Sequence, residues 1–446
     1  MALLGSRFPQ ELYDMIIDEG AEDESALKTY ALVCRSFVTP SRKHFFHSVE
    51  LTTTNDDAKS RRIHTNFYTI LTENPRIATW VNELRVRDVS SELDPPESER
   101  PSWIRDEATV HETLKTLAAS RLDHFTLETD LYWGSFPVGL KRALLKVFSG
   151  GCMKYVCLQG LMGLYKSICP AFRVLEDLFL VRVELDSDDD PDIVVEAIAP
   201  ERTALSWLGL EGVEESSISI FLHGLLPTTA ITSVHPEFPQ LQAIQIGVEN
   251  PEDILAIWQV VLAARNTLQY FYWEYTDKHG LPSPFDPSPI NLSVLPRLVA
   301  IFYEIPYYED EDIPDNPDQF SGLLTLLSSV RPGNSITGVH VTVHFPNYTI
   351  ASDSASNYDG WQRLSLLLSS NMYPQLGEVF VTVYLTTMMT LQEAAAAGSP
   401  YGETSVDAEL ERDRKEELKD MIRARFDQRD DADMLHVSVT SGSHYR

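Results

Sequence analysis

A chain of 446 residues, 43% of them hydrophobic, carries enough apolar side chains for two or three cores or for one long repeat array, and wholesale disorder is excluded. Its 66 acidic against 36 basic residues leave a formal charge of −30, which disfavours coating of nucleic acid or of an anionic membrane along the whole length. The four cysteines, Cys34, Cys152, Cys157 and Cys169, form no C-x-x-C pair and no Cys/His set with zinc spacing. So few thiols in so long a chain point to a reducing, intracellular setting, cytoplasmic or nuclear, with no metal and no cofactor expected. Met1 to Gln10 holds no apolar stretch of signal-peptide length, and the run Ile254 to Ala264 is too short to cross a bilayer.

The first fifty residues read as three short helices. In FPQELYDMIIDEG, Pro9 suits a first turn, Glu11 and Asp14 favour the positive helix start, and Gly20 ends the segment. Leu12, Met15, Ile16 and Ile17 make an apolar stripe at three- and four-residue spacing. A second helix is expected from about Ser25 to Val33, with Leu27, Tyr30 and Ala31 on one side, and a third from Cys34 to Phe46, kinked or restarted at Pro40. Three short helices bury too little surface to be robust alone, so this head needs a partner surface.

The blocks Phe8-Pro9-Gln10-Glu11-Leu12, then Leu27 with Leu32-Val33-Cys34-Arg35-Ser36-Phe37, then Arg42 with Phe45-Phe46, agree in order and spacing with a known pattern. The segment resembles the F-box-like domain of large fungal families, with Phe8 and Phe37 standing where the family usually has Leu and Trp. The resemblance covers about a tenth of the chain. It implies a docking module that packs against a Skp-type adaptor and, through it, a cullin ubiquitin ligase. On that likeness Phe8, Pro9, Leu12, Ile16, Leu32, Val33 and Phe37 would supply the adaptor interface or hold its shape.

Beyond residue 45 a hexad recurs twelve times, apolar-x-x-apolar-x-apolar, from Phe46-x-x-Val49-x-Leu51 to Met434-x-x-Val437-x-Val439, with starts 22 to 58 residues apart. Leu175-x-x-Leu178-x-Leu180, Leu205-x-x-Leu208-x-Leu210 and Leu241-x-x-Ile244-x-Ile246 are the cleanest copies. The alternating pair makes one face of a strand apolar, and one strand per unit hides that face only by stacking on its neighbours. Helix-like segments fill several gaps, at Ala108 to Ala119, Leu140 to Phe148, Pro251 to Ala264, Phe320 to Ser329 and Gly360 to Ser369. The layout resembles irregular leucine-rich repeats. The expected fold is α/β: a three-helix F-box over 1–50, then over 51–446 an irregular leucine-rich-repeat-like solenoid with a parallel sheet. Another α/β sandwich is the alternative.

Four polar stretches, Ser90 to Pro101, Ser187 to Asp192, His279 to Pro289 and Tyr308 to Asp318, read as exposed excursions. A charged helix is expected near 404–428, capped by Thr404 and Asp407, with Leu410, Leu418, Met421, Ile422 and Phe426 as a narrow stripe lying on the last repeats. The third, fifth and seventh positions of the hexad register face away from the core. There Phe179, Trp207, Tyr270, Tyr272, Phe302 and Phe380 give an aromatic patch, and Glu211, Glu274 and Glu304 a row of carboxylates. Exposed aromatics beside acids suit a basic segment of a target protein; burial under the Tyr308 to Asp318 loop or under helices on both faces is the bland alternative.

The phosphate loop, the dinucleotide fingerprint and the nucleophile elbow are all missing. His111-Glu112 begins like a zinc-protease helix, but Lys115 stands where the second His belongs, and His340 and His344 are four apart in a predicted strand. The sequence therefore points to a non-catalytic recruiter: a Skp-type adaptor at one end, an unidentified target protein on the repeats, no nucleic acid and no membrane. An interaction scaffold without ubiquitin transfer is the alternative.

Overall fold

The structure, a computed structural model, describes residues 9–21, 23–52, 57–88, 102–106, 108–193, 203–226, 238–248, 253–275, 290–305, 320–345, 351–352, 355, 359–389, 405–426 and 434–445. Phe8, Thr404 and the stretches Ser90 to Pro101, His279 to Pro289 and Tyr308 to Asp318 lie outside these residues. The chain forms two compact units, one of residues 1–205 and 220–227, the other of residues 206–219 and 228–446.

The first unit opens with α1 (Gln10–Glu19), α2 (Glu24–Val33) and α3 (Arg35–Phe45). Pro9 stands at the N-cap of α1 rather than inside its first turn. Asp23 caps α2 by accepting from the amides of Ser25 and Ala26 at 2.8 and 3.1 Å. These hydrogen bonds, with one from the Ser25 side chain foremost, hold its carboxyl below the ordinary range.

The expected restart at Pro40 does not occur: Arg35–Phe45 is one helix with the proline inside it. A proline at that position removes the amide that would bond the carbonyl of Ser36, four residues earlier. The Gln10 side-chain amide donates to that carbonyl instead, at 3.2 Å, so the orphan is satisfied from α1. Phe37 sits edge-on to Tyr13 and Tyr30, with ring centroids 5.3 and 6.0 Å away, and His44 lies 2.7 Å from Asp18. Ile17 and Leu27 are buried.

The unit continues through β1 (Ser48–Thr52), α4 (Asp57–Glu73), β2 (Glu83–Asp88), α5 (Trp103–Asp106), α6 (Ala108–Ala118), β3 (His124–Thr129), α7 (Val138–Phe148), β4 (Tyr155–Gln159), β5 (Leu164–Tyr165), β6 (Asp177–Val181) and β7 (Leu185–Asp186). Its main sheet is parallel in the order β1-β2-β3-β4-β6, and β5 and β7 form a small parallel pair. Parallel neighbours need crossovers, and helices supply several of them.

The second unit contains β8 (Trp207–Glu211), β9 (Ala243–Val248), α9 (Ile254–Ala263), β10 (Tyr270–Tyr275), β11 (Ala300–Ile305), α10 (Ser321–Ser328), β12 (Gly338–Phe345), α11 (Gly360–Leu368), β13 (Glu378–Met389), α12 (Ser405–Phe426) and β14 (Leu435–Tyr445). These seven strands are parallel neighbours in sequence order. Helix α8 (Glu215–Leu225) is shared between the units.

Each of the twelve hexads coincides with a strand of the main sheets. The fourth and sixth positions align across strands, as in Leu84↔Phe125 and Val86↔Leu127, or Phe271↔Ile301 and Trp273↔Tyr303, and they form the core face. Phe125 faces Phe148 of α7 at 6.0 Å and Phe148 faces Phe172 at 5.3 Å, so in the first unit this is the helix side. The leading apolar residues are buried as well except at the two outermost copies, where Phe46 and Met434 are half-buried; Leu175, Leu205, Leu241 and Leu268 are completely buried.

A backbone motif repeats at the strand entrances. Two successive amides share one carbonyl of the preceding repeat, as when Gln269 and Tyr270 both donate to Gln242, and Val299 and Ala300 both donate to Gln269. One copy departs from the sequence alignment: Val437 pairs with Val381, not Val379, a two-residue offset. Because the side-chain period is two, that slip preserves the faces.

The five helices expected between hexads are α6, α7, α9, α10 and α11, within a few residues at each end. Helix α4 was not expected because it is polar overall, although His64, Phe67 and Leu71 form its buried stripe; in α8 the stripe is Ile218, Phe221 and Leu225. Leu418 and Ile422 of α12 are buried, and Phe426 meets Trp361 of α11 edge-on, at 6.4 Å between centroids.

The expected exposure of Ser187 to Asp192 is corrected at its centre. Asp190 is buried, 3.3 Å from the equally buried Lys141 Nζ, and accepts from Trp133 Nε1 at 2.8 Å. Asp192 adds a second carboxylate 3.1 Å from Lys141. A buried lysine on α7 requires paired acid, and the aspartate run provides it.

Candidate functional site

On the second unit's face away from the core, the fifth hexad positions of β10 to β13 carry a stack of rings, extended by Trp207 from a third position of β8 and by His436 of β14. Trp207 leans across Ala243, a small neighbour, to lie 5.4 Å from Tyr272. Tyr272 then stacks on Phe302 at 4.0 Å, Phe302 on His340 at 4.2 Å, His340 on Phe380 at 4.4 Å and Phe380 on His436 at 4.6 Å. The ring planes differ by 8 to 19°. From Tyr272 to His436, centroid spacings so near the roughly 4.8 Å between adjacent strands mean that the rings stand upright and face one another, while Trp207 leans over β9 to join them. Their π faces are therefore used inside the ladder, and solvent meets ring edges. Each such pair contributes about 0.5–1.5 kcal/mol beyond area burial. Burial in the stack pushes the His340 imidazole down and the Tyr272 hydroxyl up.

Two residues further along each strand lies the carboxylate row. Glu274 and Glu304 are directly opposite in register, and Glu211 is opposite Gly247. A β-carbon at Gly247 would come within 2.5 Å of Glu211 Cγ, so glycine there lets the Glu211 side chain cross β9 toward Glu274. Gln245 donates to Glu274 at 2.9 Å, and His344 Nε2 lies 2.5 Å from Glu304. Burial first, then Glu304 and Glu211, raise the Glu274 carboxyl to about 7, while Gln245 and His344 act in the opposite sense. Like charges directly opposite on a sheet oppose each other in this way.

The nine target-site residues expected from the sequence do not form one group. Trp207, Tyr272, Phe302 and Phe380 join the ladder, Tyr270 lies outside it and is exposed, and Glu211, Glu274 and Glu304 form the row. Phe179 belongs to the first unit, where it lies tilted against Tyr155 at 5.3 Å and Tyr155 stacks on His124 at 5.4 Å. Sequence reasoning missed His340 and His436, which complete the ladder, and His344, which stacks on Tyr384 at 5.0 Å beside Glu304. His340 sits at a fifth hexad position and was legible there; His436 required the offset of β14.

The helical head presents a different surface. Leu12, Met15 and Ile16 on α1 are 42, 65 and 50% exposed, and Leu32 and Val33 at the end of α2 are 87 and 62% exposed. Pro9 is exposed too, whereas Phe37 is half-buried against Tyr13 and Tyr30. Ile17 and Leu27 are buried, whereas these five apolar side chains of α1 and α2 face outward. Among the described residues no helix is long and apolar enough to cross a membrane. No protein-family model and no curated protein matches this chain.

Proposed function

We propose that this chain is a substrate-recruiting adaptor of a Skp–cullin–F-box ubiquitin ligase. The head, read as an F-box, docks a Skp-type adaptor through Pro9, Leu12, Ile16, Leu32, Val33 and Phe37. The strands, read as an irregular leucine-rich-repeat-like solenoid, hold a target protein. The chain performs no bond chemistry; it raises the effective concentration of target lysines near the ligase.

The observation that carries this reading is the set of five large apolar side chains left outward on the first two helices. Apolar exposure concentrated on so small a head marks a protein-interaction surface. The shared-carbonyl motif at successive strand entrances supports the repeat reading.

The test is affinity capture of a Skp-type adaptor by the full chain. The double change Leu12→Asp, Leu32→Asp should abolish capture while leaving the melting temperature within about 2 °C, because exposed substitutions cost little stability. Capture that survives in a folded variant sinks the docking assignment. Reconstituted ubiquitin transfer to a captured protein then separates ligase from scaffold.

A further inference from the structure

We infer that the outer edge of β14 takes up an extended segment of a target protein as one more strand, apolar on its core side and carrying an aromatic ring opposite His436. This names a site for the target-holding half of the proposed function and rests on that reading; it is independent of adaptor docking.

Strand β14 ends the sheet. Its eleven residues, Leu435–Tyr445, pair without interruption with residues 379–389 of β13, and among the described residues no strand lies on the other side. The direction of its backbone groups follows from the strand entrances. Glu378 donates its amide to Thr337, so Glu378, Phe380 and Thr382 of β13 turn their backbone groups toward β12. The residues between them, Val379, Val381 and Val383, serve β14, which meets them with His436, Ser438 and Thr440. Val437 and Val439 therefore each direct an N–H and a C=O away from the sheet.

Such a row is a template for a further strand, and edges are ordinarily blunted by shortness, charge or proline. The first unit's outermost strand, β1, has five residues and carries Glu50. By contrast β14 holds no Asp, Glu, Lys, Arg or Pro from Leu435 to Tyr445.

The two faces at this edge define what the next strand carries. On the core side Val437 and Val439 are each 8% exposed, whereas their β13 partners Val381 and Val383 are fully covered, so apolar residues fit there. On the opposite side, among the described residues, the ring stack ends with His436, exposed and 4.6 Å from Phe380. One strand further on, a ring in the same register would cover the second face of that imidazole. A second copy of the chain is disfavoured, since each copy carries −30, and the same charge draws a segment with basic flanks.

The experiment uses the intact chain and a labelled peptide that repeats residues 379–384, Val-Phe-Val-Thr-Val-Tyr, between pairs of lysines. Two further versions carry backbone N-methyl groups, one on the Val set and the other on the Phe, Thr and Tyr set. All three have the same charge, and each methylated version has lost the donors of a single edge. Fluorescence anisotropy should show saturable binding of the parent peptide, about tenfold or greater loss with one methylated version, and near-parent binding with the other. Loss confined to either version supports edge pairing, and sensitivity of the Phe, Thr and Tyr set marks a parallel segment. The change His436→Ala should weaken the parent peptide by about threefold or more and leave a peptide with Ser in place of Phe unchanged.

No saturable binding, equal binding of all three versions, or equal losses with both methylated versions would overturn the inference. That comparison is made on the unaltered protein, so it does not depend on any variant folding. Self-association of the chain that the peptide reverses would make a second copy the occupant and would also overturn it. Capture of proteins from a lysate distinguishes the two levels. Persistent capture with no one-sided methyl effect rejects the edge and keeps the target-holding reading; no captured protein and no one-sided effect rejects both.

Discussion

Glu274 is the residue at which packing and charge conflict most openly. Its carboxyl faces Glu211 on β8, Gln245 on β9, Glu304 on β11 and His344 on β12, and it is raised from 4.5 to about 7. A raised acid binds a proton in the folded chain that the unfolded chain has already released between those two values. This contribution to stability is therefore present at low pH, falls as pH rises from about 4.5 to about 7, and is flat above. The change Glu274→Gln should remove the slope. Thermal or urea unfolding should show a gain of about 1 kcal/mol near pH 8 and almost none near pH 5, the figure reduced for the side chain's partial exposure. A variant no more stable than the parent at the higher pH would contradict the repulsion inferred from register.

Among the elements, α12 shows how a narrow stripe positions a highly charged helix. Its sequence is mostly Glu, Asp, Lys and Arg, with i,i+3 pairs such as Lys419–Glu416 at 2.7 Å on the solvent side. Leu418, Ile422 and Phe426 turn inward, and Arg425 donates to the Ala355 carbonyl at 3.0 Å. Truncating Leu418 to Ala should cost about 2–5 kcal/mol, read from urea unfolding, because the cavity cannot refill from a helix otherwise polar. The stripe was legible in the sequence because spacing is local; its seat against Trp361 of α11 was not, because that residue lies more than fifty positions earlier. Helix α3 teaches the same at its proline. Local rules call for a kink or a restart, and a glutamine from α1 satisfies the carbonyl that the proline leaves without its amide.

At the scale of the whole molecule the formal charge of −30 sets a repulsive background on which every local contact is superimposed. Raising monovalent salt from about 10 to about 300 mM shortens the screening length severalfold, so the melting temperature should rise by a few degrees. A melting temperature that falls over that range would show that paired surface charges outweigh the excess. The sequence by itself determined where the strands of the main sheets begin and which of their side chains face the core, since two-residue alternation is written into each hexad. It also marked the head as a surface with apolar residues to spare. Tertiary structure alone decided that the rings stack face to face, that two histidines complete the ladder, that β14 is offset by two, and that Asp190 goes inward to meet Lys141. The physical reason is range. Periodicity fixes a residue's side of its own strand, but its neighbours across the sheet lie 22 or more residues away, as Tyr155 from Asp177, and only closure of the fold sets their distance.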